Sequence, residues 1–161
     1  MERKYAEFAA TKACELLAID SPSGYTQKAA MWVKEAFEAL GFAAKITTKG
    51  GVLADLGGAD KDDALFLQAH TDTLGAMVAE IKANGRLKLT PLGGLRAENA
   101  ETENVRVHTR TGKIIEGTVQ LCNASVHVNG EYGEAKRTFD TVEAVLDEDV
   151  KTAEDTRALG I

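Results

Sequence analysis

The chain has 161 residues, 44% of them hydrophobic and 27% charged, which is the balance of a folded globular protein and the length of one average domain or two small ones. It carries 25 acids against 19 bases for a net charge of -6, and this argues against a nucleic-acid partner, which would call for a basic face. Residues 140–161 alone hold seven acids (Asp140, Glu143, Asp147, Glu148, Asp149, Glu154, Asp155) against Lys151 and Arg157, so most of the excess sits there and reads as solvated surface.

Two helices are predicted first. Tyr5, Phe8, Ala9, Ala13, Leu16 and Leu17 recur at helical spacing through Ala18, and Asp20-Ser21-Pro22-Ser23-Gly24 then breaks the pattern with turn formers. Ala29, Trp32, Val33, Ala36, Phe37 and Leu40 mark one face of a second helix, with Gly41 placed as a left-handed cap. Trp32 and Phe37 are expected in the core. The period then changes to two. Phe42–Thr48 and Val52–Leu56 read as strands of a hairpin turning at Lys49-Gly50-Gly51, and the apolar run Ala64–His70 reads as a buried central strand.

From Thr73 onward short β segments follow one another: 75–81, 86–90, 105–110, 113–120 and 125–128, punctuated by Asn84-Gly85, Gly93-Gly94 and Thr111-Gly112. Strands this short and this closely spaced suggest a small barrel or sandwich. Thr152-x-x-Asp155 resembles a capping box opening a short helix that ends at Gly160. The fold class is therefore α/β, with a domain boundary near Asp72–Thr73.

Met1 to Ala10 mixes charges and lacks the apolar core of a secretory signal, and no apolar run approaches the roughly 18 to 20 residues that span a bilayer. Cys14 and Cys122 lie far apart, outside any metal-type spacing. They read as buried free thiols in a reducing compartment, so a cytoplasmic protein without a membrane partner is expected.

The candidate chemistry lies where the apolar run ends, at His70-Thr71-Asp72. In open α/β sheets ligands gather beyond the carboxyl ends of strands. A histidine there can ligate a metal through a neutral imidazole nitrogen, and a carboxylate two residues on can fix the ring's tautomer and orientation. Alone, H-x-D is equally compatible with a structural histidine. His108 reads as an ordinary strand residue and His127 as surface or interface, and the acidic pairs at 62–63, 147–149 and 154–155 read as solvated loops or a helix start.

The surrounding sequence narrows the choice. Gln68-Ala69-His70-Thr71-Asp72-Thr73-Leu74-Gly75-Ala76-Met77-Val78, Asn84-Gly85, Leu89-Thr90-Pro91-Leu92-Gly93-Gly94, Val105-Arg106-Val107-His108-Thr109, Thr111-Gly112-Lys113-Ile114-Ile115-Glu116-Gly117 and Asp147-Glu148-Asp149-Val150-Lys151 through Ile161 together resemble the tetrahedral, glutamyl-aminopeptidase-like (cellulase M-like) dinuclear metallo-aminopeptidases. Ser21-Pro22-Ser23-Gly24 fits the same family. The resemblance spans essentially the whole chain. It implies that residues 1–72 are the N-terminal part of a zinc-exopeptidase-type α/β catalytic domain. Residues 73–161 would then be an inserted, barrel-like dimerisation and assembly domain, incomplete at its C-terminal end.

The resemblance further implies that His70 is a metal ligand, with Asp72 as the catalytic carboxylate behind it. The complete family site holds two divalent ions (zinc, cobalt or manganese) that activate water to cleave N-terminal residues from peptides. The family's remaining ligands and general-base glutamate lie downstream of the inserted domain. The expectation is thus a truncated and inactive chain, holding at most one metal ion weakly and assembling as a homo-oligomer through its β-rich part. The alternatives are a non-catalytic assembly module, or another zinc exopeptidase or deacylase sharing H-x-D.

Overall fold

A computed structural model describes residues 2–60 and 62–161. The chain divides into two compact units, Met1–Gly75 and Ala76–Ile161. The first opens with α1 (Arg3–Leu17) and α2 (Gln27–Ala39). Neither helix has a side-chain N-cap, and α1 buries no residue, while α2 buries only Ala29 and Ala30. Gly41 closes α2 with φ of 88°, the left-handed conformation that the sequence assigns to it. α2 packs on a hairpin of β1 (Ala43–Ile46) and β2 (Val52–Asp55), whose antiparallel register runs from Ala43 opposite Asp55 to Ile46 opposite Val52. Gly50, with φ of 85°, makes the turn.

The run Ala64–His70 is not a strand. Its residues belong to no ladder, and Leu65, Phe66 and Leu67 are 86%, 70% and 73% exposed. A strand exists only when its backbone N–H and C=O groups find a neighbour. In this unit β1 and β2 satisfy each other, and no strand among the described residues lies beside 64–70. Trp32 and Phe37 are half-buried rather than core, and the Trp32 indole carries the Lys12 ammonium 5.5 Å from its ring centre. Both cysteines are free, as expected, but exposed rather than buried.

The second unit is organised by a five-stranded sheet in the order β3-β4-β7-β6-β5. Its strands are β3 (Gly75–Ile81), β4 (Leu87–Leu92), β5 (Asn104–His108), β6 (Ile114–Leu121) and β7 (Val142–Leu146). Alternation directs Leu87 and Leu89 of β4, and Ile115, Val119 and Leu121 of β6, into one core. β7, in the middle, buries Val142, Glu143, Ala144 and Leu146. Where Gly117 of β6 faces Leu146 in the register, the Val145 carbonyl comes so close that no side chain fits at Gly117.

Between β4 and β5 lies the one-turn helix α3 (Ala97–Ala100), and α4 (Ala153–Ala158) ends the chain. α4 opens on the capping box expected from the sequence: the Asp155 N–H donates to Thr152 Oγ1 and the Thr152 N–H to the Asp155 carboxylate. Residues 125–128, expected as a strand, form turns instead. The segment is held by its own hydrogen bonds, Asn129 N–H to Ser125 O and Asn129 Nδ2 to Asn123 O, and no strand pairs with it among the described residues. The long 122–141 connection is pinned by Arg137, which donates to the Glu101 carboxylate at 2.8 Å and to the Ala135 carbonyl at 2.6 Å. No helix among the described residues is long and apolar enough to cross a membrane.

Candidate functional site

His70 and Asp72 close the exposed 64–70 run and are held from the loop before α2. Thr73 N–H donates to the Ser21 carbonyl at 2.9 Å, and Pro22 and Thr73 form an isolated parallel bridge. Ser21, fully buried, donates its hydroxyl to the Thr71 carbonyl at 3.1 Å. Gly75 lies against the Pro22 ring, where a side chain would collide. The turn at 21–24 and the 71–75 segment thus fix each other, which sets the backbone of Asp72.

Ser23 completes the arrangement. Its hydroxyl donates to Asp72 Oδ2 at 2.7 Å, and this bond is the main reason that the carboxyl titrates below its usual range, with the nearby His70 adding to it. The other carboxylate oxygen, Oδ1, is 3.2 Å from His70 Nδ1, and the Asp72 carbonyl oxygen is 3.1 Å from the same nitrogen. Both neighbours are acceptors when the carboxyl is ionised. Nδ1 must therefore carry the proton, and the Nε2 lone pair is left as the acceptor of the neutral ring. The His70 side chain is 86% exposed and that of Asp72 42%.

The other charged groups singled out in the sequence do not join this pair. Glu148 pairs with Lys113 at 3.2 Å, Asp149 with Lys151 at 3.2 Å and Glu154 with Arg157 at 3.1 Å, while Asp155 caps α4. His108 ends β5 and is half-buried, and His127 is exposed in a turn. Among the described residues no group of three or more His, Cys, Asp or Glu side chains could hold a metal ion.

Two features escaped the sequence reading. Ser21 and Ser23 read as turn formers in a segment that fits the family, without any contact to His70-Thr71-Asp72, because their partners lie some fifty residues away. Glu143, counted with the acidic surface, is 1% exposed and accepts from Arg86 Nη1 at 2.6 Å and from Lys82 Nζ. Burial pushes its pKa up, but the hydrogen bonds from Lys82 and Arg86 outweigh this and hold the carboxyl below its ordinary value. Lys82 also reaches Cys122 Sγ at 3.6 Å. The available signal was that Glu143 interrupts an otherwise apolar Val142–Leu146.

A family model described as M42 glutamyl aminopeptidase matches residues 50–161. The chain belongs to the M42 glutamyl aminopeptidase family. It is 40% identical over 147 residues to the protein YhfE of Bacillus subtilis (strain 168), covering 91% of this chain and 42% of that one. The solved structure of aminopeptidase APDkam598 from Desulfurococcus kamchatkensis superposes with a TM-score of 0.76 at 23% identity, covering 91% of this chain and 39% of that one. The Pyrococcus horikoshii TET1 peptidase, which can assemble into a tetrahedron or a large octahedral shell, gives 0.74 at 19% identity and 93% and 43% coverage. The chain thus spans about two fifths of the length of these proteins, and its mixed α/β architecture is of the kind seen in the two solved structures.

Proposed function

We propose that the chain serves metal-dependent removal of N-terminal residues from peptides, and that its own contribution is one metal-ligand position, His70 Nε2. The observation that carries this reading is the double acceptor contact on Nδ1. It leaves Nε2 with its lone pair outward, the tautomer that a metal-ligating imidazole needs, with a carboxylate behind it. Asp72 holds that tautomer, and the Ser23 hydroxyl donates to the Asp72 carboxylate and lowers its pKa. The described residues fit one corner of a metal site and not a whole one, since a catalytic ion normally takes three protein ligands. In a complete site, divalent ions lower the pKa of bound water and polarise the scissile carbonyl. With one imidazole, this chain by itself hydrolyses no peptide and holds at most one divalent ion weakly.

Residues 1–72 would then belong to a catalytic layer and 73–161 to an inserted, barrel-like assembly domain, in a cytoplasmic homo-oligomer. The separate core of 76–161 and the shell-forming TET1 peptidase among the structural relatives support that division. Calorimetric titration of the chain with zinc, cobalt and manganese, run beside a chromogenic aminoacyl substrate, tests the reading. Weak binding of one ion, lost in His70→Ala, with no turnover, is the expected result. Ion binding unaffected by His70→Ala would remove His70 from the site. Tight binding of two ions with release of N-terminal residues would show that the chain is catalytically complete. Light scattering tests the assembly reading, with an oligomer expected and a compact monomer contradicting it.

A further inference from the structure

The chain contains two Asn-Gly pairs, Asn84-Gly85 and Asn129-Gly130, and the two asparagines make the same local turn. Asn84 Oδ1 accepts from the Arg86 N–H at 3.2 Å, and Asn129 Oδ1 accepts from the Glu131 N–H at 3.2 Å. Each bond polarises the side-chain amide carbon beside the backbone nitrogen of the following glycine. The glycines differ. The Gly85 N–H donates to the Lys82 carbonyl at 2.9 Å, and the Gly85 carbonyl accepts from the buried Thr156 hydroxyl at 2.7 Å. Gly85 also sits at φ of +81°, with Thr152 O and Thr156 Oγ1 each 3.0 Å from where a Cβ would be. Among the described residues the Gly130 N–H makes no hydrogen bond, and nothing lies within 4 Å of the corresponding position.

We propose that Asn129 is a site of spontaneous deamidation in the folded protein and that Asn84 is protected. The Gly130 amide loses its proton to hydroxide or another base, and its nitrogen attacks Asn129 Cγ. The new C–N bond forms as the bond to the side-chain nitrogen breaks and ammonia leaves, giving a cyclic imide. Water then opens the ring at either carbonyl to aspartate or isoaspartate. One water is consumed and one ammonia released, with no oxidant or reductant. At Asn84 the same attack requires breaking the Gly85–Lys82 hydrogen bond and moving a backbone that α4 clamps. Conversion of Asn129 removes the Nδ2 donor that holds the Asn123 carbonyl at 2.8 Å, and it adds a negative charge to the 122–141 connection.

The test is peptide mapping by mass spectrometry after incubation of the whole chain at mildly alkaline pH, beside a guanidinium-unfolded sample. The folded chain is expected to gain the amide-to-acid mass change in the Asn129 peptide and not in the Asn84 peptide, while the unfolded chain converts at both. Gly130→Ala should slow conversion at Asn129 about tenfold, because a Cβ shields the amide and restricts the backbone, and the open space around Gly130 lets this variant fold. Equal rates at the two asparagines in the folded chain would overturn the proposal. So would an unchanged Asn129 peptide beside an unfolded control that converts.

Discussion

Leu87 and Leu67 are the same residue type, Leu87 between Arg86 and Lys88 and Leu67 inside an apolar run, yet Leu87 is fully buried and Leu67 is 73% exposed. The difference is one of company. Leu87 sits on β4 opposite Ala144 of β7 and belongs to a core that also takes in Leu89, Ile115, Val119, Leu121, Val142 and Leu146. Leu67 belongs to a run with the apolar content of a central strand, and no strand pairs with it among the described residues. The second unit closes its core with its own elements, whereas the first, among the described residues, buries only Ala29 and Ala30 of its hydrophobic side chains. An apolar pattern states which face wants cover. It does not state that cover is present.

The sharpest way to break this contrast is to truncate both leucines. Leu87→Ala should cost about 3 kcal/mol, since it removes a buried side chain from a core that collapses only partly. Leu67→Ala should stay within about 0.5 kcal/mol, as exposed substitutions do. Urea denaturation followed by circular dichroism reads both. Comparable losses at the two positions would mean that the 64–70 run is covered in solution, and the contrast would fail.

A second test addresses the polar part of the second unit's core. Arg86→Met leaves Glu143 with Lys82 alone and should cost about 2 kcal/mol, the scale of a lost hydrogen bond to a charged group. The sign of the pH dependence follows from the same contacts. Glu143 titrates below its ordinary value when folded, so as pH falls the unfolded chain takes up the proton first. Its stabilisation is present above the unfolded glutamate value of about 4.3 and is lost as pH drops from there through the folded pKa. Glu143→Gln should flatten that part of the acid-denaturation curve. An unchanged slope would assign the acid sensitivity to other carboxylates.

These positions also show what the sequence could and could not convey. Local grammar was legible: α1, α2, the β1–β2 hairpin, β3, Gly41 and the Thr152–Asp155 capping box depend on residues a few positions apart. Features set by distant partners were not. Ala64–His70 failed as a strand for want of neighbours. β7 was hidden because Glu143 made its segment look like acidic surface, although Lys82 and Arg86, some sixty residues away, let that carboxylate go inside. At the candidate site the H-x-D spacing pointed to His70 and Asp72, while their support from Ser21 and Ser23 becomes visible only in three dimensions. A smaller test bears on the legible side. Thr152→Ala should cost about 1 kcal/mol through the lost N-cap, measured as a thermal shift of the second unit.

The smallest expected effect on stability carries the most information about the first unit. Ser23→Ala deletes the hydroxyl that donates to Asp72 Oδ2 at 2.7 Å, a single part-buried hydrogen bond whose loss should cost about 0.5 kcal/mol. The carboxyl should therefore titrate higher in the variant than in the parent, because the largest influence lowering it is gone while the smaller one from His70 persists. A carbon-detected NMR titration of the Asp72 carboxyl reads the shift directly, and the His70 ring nitrogens report the tautomer in the same sample. With Asp72 still ionised at neutral pH, Nδ1 should remain protonated and Nε2 free, so the tautomer survives although the carboxylate's support is weakened. If Asp72 titrates identically in the two proteins, Ser23 does not hold it in solution. The 21–24 turn would then position only the backbone of the site.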